Sequence, residues 1–239
     1  MVWCLIDVDI PQLSSDGIQF GGYCFRYTYS LQSSSTHSPI SSSFDAAALE
    51  NYISFGKLKP SATSTVVRNR TELNSIPLNV EDLWIGRFDT SDVSEFLPSR
   101  FQSLKTLVIG NGLFLSVNIF ELNNLTSLQI LYIGNGGFGK VRVFELDGLG
   151  ELESVVIGKE CFTYAKTYDD IWNSKRTDGS CRIVNCPKLK SIQIGGYSFS
   201  DYHSFELNNL PSLQSIEIGE WCFQYAPSFS LTGLIDGLD

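Results

Sequence analysis

From residue 83 onwards one short pattern recurs: two apolar residues flank a single variable position, and glycine follows. It reads Leu83-Trp84-Ile85-Gly86, Leu107-Val108-Ile109-Gly110, Leu131-Tyr132-Ile133-Gly134, Val155-Val156-Ile157-Gly158, Ile192-Gln193-Ile194-Gly195 and Ile216-Glu217-Ile218-Gly219. Successive glycines lie 24, 24, 24, 37 and 24 residues apart, so one repeat carries an insertion of 13 residues. Two fainter copies stand upstream, Ile18-Gln19-Phe20-Gly21 and Ile53-Ser54-Phe55-Gly56, with longer spacings of 35 and 30. The Ser-rich run from Ser33 to Ser43 reads as a loop within the first of these.

Further columns keep the same register. Phe stands four residues after the glycine at Phe25, Phe114, Phe138, Phe162, Phe199 and Phe223. An aromatic-x-apolar pair follows at Phe120/Leu122, Phe144/Leu146, Phe205/Leu207 and Phe229/Leu231. Leu125/Leu128, Leu149/Leu152, Cys186/Leu189 and Leu210/Leu213 then lead into the next copy.

Alternation around the variable position puts the two flanking side chains on one face of a short strand and the middle one on the other. The Phe-x-Leu pair predicts a second strand, and the glycine a corner where positive φ carries no Cβ penalty. One copy cannot bury its apolar face alone. Copies stacked about 4.8 Å apart join those faces into a continuous core. The prediction is a mainly β fold, a right-handed solenoid of about eight stacked coils with little helix. It forms one domain over residues 1–239. Residues 1–56 make degenerate N-terminal coils with the Ser-rich insertion, and 57–239 make regular coils with an insertion near 166–179.

The pattern resembles the leucine-rich repeat superfamily, in its irregular, short-coil BspA-like branch. Leu104 to Gly158 and Leu189 to Leu231 carry the resemblance, as in Leu210-Pro211-Ser212-Leu213-Gln214-Ser215-Ile216-Glu217-Ile218-Gly219. It covers residues 50–239 well and 17–50 poorly. The Asn ladder position after the strand is replaced by Gly, which predicts a β-like rather than helical convex side. The resemblance implies a protein-interaction scaffold with its ligand on the strand-bearing face, and it does not imply catalysis.

Charge and composition narrow the partners. Lys plus Arg is 17 against 26 Asp plus Glu, a net charge of −9, which argues against a phosphate-binding nucleic-acid surface. No apolar run approaches the 18 or more residues of a membrane helix, so no membrane insertion is expected. The first 16 residues lack a basic n-region and are interrupted by Asp7 and Asp9, unlike a cleaved leader, which favours the cytoplasm. Six Cys in 239 residues are too sparse for a disulfide framework.

Candidate chemistry is thin, and neither a cofactor nor a metal is expected. Gly134-Asn135-Gly136-Gly137-Phe138-Gly139-Lys140-Val141 fits nucleotide-loop signatures. Val141 stands where a phosphate loop needs Ser or Thr, no kinase partner motifs follow, and no predicted helix offers an N-terminus to a phosphate. Cys24, Cys161 and Cys222 share one column, three after the glycine, while Cys181 and Cys186 replace a core Phe and Leu. Buried small hydrophobes explain them better than zinc does. Asp169, Asp170 and Asp178 read as loop solvation, and the sequons at Asn69 and Asn124 say nothing without evidence of secretion.

Surface then carries the functional expectation. The middle position of each copy reads Gln19, Ser54, Trp84, Val108, Tyr132, Val156, Gln193, Glu217 down the stack. The run from Trp84 to Val156 predicts an exposed apolar stripe of the kind that binds a protein ligand. Gln193 and Glu217 extend it, and Trp172 in the insertion offers a second anchor. The last coil, Gly219 to Asp239, carries no cap signature and is expected to be the least stable. An alternative reading is therefore a structural or adhesive array unit that self-associates through its coil ends.

Overall fold

A computed structural model describes residues 18–20, 30–33, 60–86, 88–164 and 177–233. The repeat pattern becomes two stacks of parallel strands. Strand β3 (Thr65–Val67) and a short helix α1 (Arg70–Asn74) open the regular part. Asn69 caps that helix by accepting the Glu72 N–H at 3.0 Å. The glycine boxes form β4 (Asp82–Ile85), β6 (Thr106–Ile109), β8 (Ile130–Ile133), β10 (Ser154–Ile157), β12 (Ser191–Ile194) and β14 (Ser215–Ile218). The Phe-x-Leu pairs form β7 (Ile119–Phe120), β9 (Val143–Asp147), β13 (Ser204–Asn208) and β15 (Ser228–Thr232). Their Cys-containing counterpart is β11 (Ser180–Val184). Among the described residues the only other helical turn is a 3-10 segment, Pro98–Arg100.

The chain is a β-solenoid of about six turns at 24-residue spacing, fewer than the eight expected. The boxes pair in register, Leu83↔Leu107↔Leu131↔Val155↔Ile192↔Ile216. The 37-residue interval is absorbed outside the strands. β7 pairs with β5 (Glu95–Phe96), while β9, β11, β13 and β15 belong to a separate five-stranded sheet.

One expectation about order is overturned. β1 (Ile18–Phe20) does not precede β3 but pairs with β14 at the opposite end of the eight-stranded sheet, Ile18 against Ile216. Likewise β2 (Ser30–Ser33) pairs with β15, Phe229 against Leu31. β14 and β15, at the end of the regular repeats, therefore each pair with a strand from an earlier part of the chain. Strand β1 pairs with β14 as the repeat strands pair with one another, and an open parallel edge accepts such a strand wherever it lies in sequence. Ile53-Ser54-Phe55-Gly56 falls outside the described residues.

The strand alternation holds. Leu83, Ile85, Leu107, Ile109, Leu131, Ile133, Val155 and Ile157 are all buried in the main core. The corner glycine has a different reason from the one expected. Gly134, Gly158, Gly195 and Gly219 do not have positive φ; they are glycine because neighbouring coils approach too closely for a Cβ. At Gly158 a Cβ would lie 2.7 Å from the backbone nitrogen of Asn135.

Positive φ appears instead two and four residues later. The first of these columns holds Gly112, Gly136, Glu160, Tyr197 and Trp221, and the second is entirely Phe: Phe114, Phe138, Phe162, Phe199 and Phe223. A bulky residue in the left-handed region is strained. Here each Phe is buried and packs its ring against the next, with ring centroids 5.5, 5.2, 4.8 and 5.1 Å apart. Burial of roughly 1.5–3 kcal/mol per ring outweighs a strain of about 1–2 kcal/mol.

An Asn ladder also exists, one residue beyond the glycine. Asn111 Oδ1 accepts the N–H of Asn135 at 2.7 Å, and Asn135 Oδ1 accepts that of Lys159 at 2.8 Å.

Candidate functional site

The middle positions lie side by side as expected, Trp84↔Val108↔Tyr132↔Val156↔Gln193↔Glu217. They are not an exposed stripe. Trp84, Val108 and Tyr132 are only 6%, 1% and 2% exposed and form an apolar cluster separate from the main core, with Val66 and Val156 packed against it. The outer face of the eight-stranded sheet is thus closed over this stretch, and these residues present no surface to a partner. Trp84 Nε1 donates to Asp82 Oδ1 at 2.7 Å. Burial pushes the Tyr132 hydroxyl from its ordinary 10.0 to about 12. Gln193 and Glu217 are half-buried at the polar end of the column, joined by a bond of 3.3 Å from Gln193 Nε2 to Glu217 Oε2. Trp172 falls outside the described residues.

Exposed apolar strand positions lie elsewhere, where the two-stranded sheet of β5 and β7 meets the five-stranded sheet. Ile119 in β7 and Val143 in β9 are 48% and 53% exposed and occupy equivalent positions in successive coils. They lie where the sheets part, since β7 pairs with β5 and not with β9. The seam opens a groove of about 460 Å³, lined by these two residues with Asn123, Glu121, Lys140, Arg142 and Glu145. Arg142 pairs with Asp178, and Glu145 with Arg182 at 2.7 Å, which orients part of the charged rim. Asn123 Oδ1 is buried and has no hydrogen-bond partner among the described residues. An apolar floor, a charged rim and an unanswered acceptor together suit a ligand that brings an apolar side chain and an N–H or O–H donor.

A trace of this groove is readable in the sequence. The residue before the Phe or Cys of the second strand is Ser180, Ser204 and Ser228 in three coils, in register with Val143. Two apolar residues, Ile119 and Val143, replace Ser at that outward position. The break between β7 and β9 that makes the position concave left no such trace.

The glycine-rich segment and the described cysteines are packed into the coils. Phe138 and Val141 of the glycine-rich segment are buried, and the chain runs from it into β9 without a helix. Cys161 Sγ donates to the Gly134 carbonyl at 2.9 Å and Cys222 Sγ to the Gly195 carbonyl at 3.2 Å. Ser198 takes the same column with an Oγ donating to the Gly158 carbonyl at 2.7 Å. Cys186 Sγ donates to the Val184 carbonyl at 3.2 Å. Burial raises the thiols of Cys161 and Cys186 to about 11 and lifts that of Cys181 well above its ordinary value. Such thiols are poor nucleophiles and poor ligands. Among the described residues no three His, Cys, Asp or Glu side chains gather as a metal site would require, and no helix is long and apolar enough to cross a membrane.

Fold and site together define a parallel β-solenoid with an outward groove at a sheet seam. Comparison with protein-family models, with curated proteins and with solved structures returns no match.

Proposed function

We propose that this chain is a non-catalytic protein-binding scaffold, as its resemblance to leucine-rich repeats implies, and that it takes its ligand at the groove floored by Ile119 and Val143. The exposure of these two residues carries the reading. Most apolar strand positions in the regular coils are buried, and a paired exception beside an unanswered Asn123 acceptor and a charged rim has the composition of a contact surface. The partner is a protein segment presenting one apolar side chain flanked by charge. The ligand face moves accordingly from the eight-stranded sheet, where Trp84, Val108 and Tyr132 are buried, to the seam beside β9.

The test is affinity capture from the source cells with wild-type protein and with the Ile119→Asp/Val143→Asp double variant. Both positions are exposed, so the variant is expected to keep its circular dichroism spectrum and melting temperature. A protein retained by wild type and lost from the variant supports the reading. Equal capture by both overturns it.

A further inference from the structure

We propose that Asn111 is a site of spontaneous covalent modification, converting to aspartate and isoaspartate with the backbone nitrogen of Gly112 as nucleophile, and that the fold shields the matching Asn135. This stands apart from the groove and does not depend on it.

Two corners of the solenoid carry the same residues, Ile109-Gly110-Asn111-Gly112 and Ile133-Gly134-Asn135-Gly136. An asparagine followed by glycine exposes its side-chain amide to attack by the next backbone nitrogen, because glycine has no Cβ to hinder the approach. Gly112 and Gly136 both have positive φ and open space where a Cβ would stand. Local sequence and local backbone therefore give the two asparagines one susceptibility.

The step balances with water alone. The Gly112 nitrogen gives up its proton and bonds to Asn111 Cγ. The Cγ–N bond of the side chain breaks, ammonia leaves, and a cyclic imide remains. Water then opens the ring. Opening at Cγ gives aspartate; opening at the backbone carbonyl carbon gives isoaspartate, whose main chain runs through Cβ and Cγ.

Hydrogen bonding separates the two corners, because the carboxamide and the glycine N–H must both come free before they react. At the first corner Asn111 Oδ1 accepts the Asn135 N–H at 2.7 Å, and the Gly112 N–H donates to the Asn135 carbonyl at 2.7 Å. Asn111 is exposed, and its own N–H donates to nothing among the described residues. At the second corner Asn135 Oδ1 accepts the Lys159 N–H at 2.8 Å, and the Gly136 N–H donates to the Lys159 carbonyl at 2.8 Å. Here the asparagine is half-buried, and its own N–H is held in addition by Asn111. One more hydrogen bond on the opening step makes Asn111 the faster by roughly fivefold.

The isoaspartyl product is the disruptive one. The next coil lies so close that a Cβ on Gly134 would stand 2.9 Å from the Asn111 nitrogen. A main chain lengthened by one carbon does not fit there, and the amide oxygen that held Asn135 becomes part of that main chain. Conversion at Asn111 therefore loosens the ladder from its exposed end.

The full-length chain is kept in neutral buffer below its melting temperature, with a parallel set in concentrated urea, and samples drawn over weeks are digested and sequenced by mass spectrometry. Asn118, Asn123 and Asn124, followed by Ile, Asn and Leu, are controls in the same stretch. In the folded chain the amide-to-acid mass gain is expected at Asn111 ahead of every control and roughly fivefold ahead of Asn135, and in urea equally at both. An aspartate-specific protease divides the two products, and the isoaspartyl fraction is expected to melt below the aspartyl one. Conversion at Asn111 no faster than at the controls overturns the proposal. So does Asn135 reacting as fast as Asn111 in the folded chain, the same bias persisting in urea, or both fractions melting together.

Discussion

Asn135 Oδ1 accepts the backbone N–H of Lys159 at 2.8 Å, one full coil further along the chain. With Asn111 it forms a ladder that ties consecutive corners together through side-chain amides rather than through strands. Removing the amide at Asn135→Ala takes that acceptor from a part-buried N–H. We expect a loss of about 1–2 kcal/mol, read as a lower denaturation midpoint in guanidinium.

Glycine at the box corner and glycine at the positive-φ column serve different ends, and alanine separates them. At Gly112, with φ of 69° and open space around it, Gly112→Ala meets only backbone strain, about 1–2 kcal/mol. At Gly158 the new Cβ meets the backbone of Asn135 and Gly134, both at 2.7 Å. Overpacking against backbone is expected to cost about 3 kcal/mol or more. Thermal melts of the two variants should therefore differ clearly, with Gly158→Ala the lower.

Cys161 is held protonated by burial, its thiol raised from 9.0 to about 11. In the unfolded chain an ordinary thiol ionises first as pH rises, so the contribution to stability is complete below pH 9 and is lost between about pH 9 and 11. Cys186 acts in the same window and in the same direction. Cys161→Ser keeps a donor to the Gly134 carbonyl, as Ser198 does one coil on, and removes the titration. It should make the alkaline fall in stability shallower, with the Cys186 share remaining, while changing little at pH 7, measured by denaturant melts across pH 7 to 11.

Arg182 holds three carboxylates on the outer face of the second sheet: Glu145 at 2.7 Å, Glu206 at 2.9 Å and Asp147 at 3.3 Å. All are partly exposed, so each pair is worth about 0.2–1 kcal/mol. Arg182→Gln leaves three like charges on the two strands that flank β11, Glu145 and Asp147 on β9 and Glu206 on β13, and should lower stability by about 1–2 kcal/mol. Added salt screens that repulsion, so the deficit should shrink between 0.05 and about 1 M NaCl.

The coil repeat, the inward residues and the columns of Phe and Cys were legible in the chain because each is a local periodic fact. Leu107 and Ile109 face inward because side chains alternate along a strand, and Phe114, Phe138 and Phe162 pack ring against ring because a constant spacing brings equivalent positions together. The candidate site was less legible. The middle column from Trp84 to Tyr132 is apolar because it is covered, not because it awaits a ligand, and an outward-facing apolar residue reads identically in both cases. Ile119 and Val143 stood out only faintly, as apolar substitutes at a Ser position.

Three matters were settled in space. Box glycines exclude a Cβ through contacts with the neighbouring coil, and those contacts exist only once coils are stacked. The seam between β7 and β9 depends on where two sheets stop sharing hydrogen bonds. And the strand at Ile18 joins β14 rather than β3, because parallel strand edges of a repeat are chemically equivalent and sequence order does not choose between them. Periodicity prescribes what each coil looks like; the packing of whole coils prescribes which edges meet and which faces stay open.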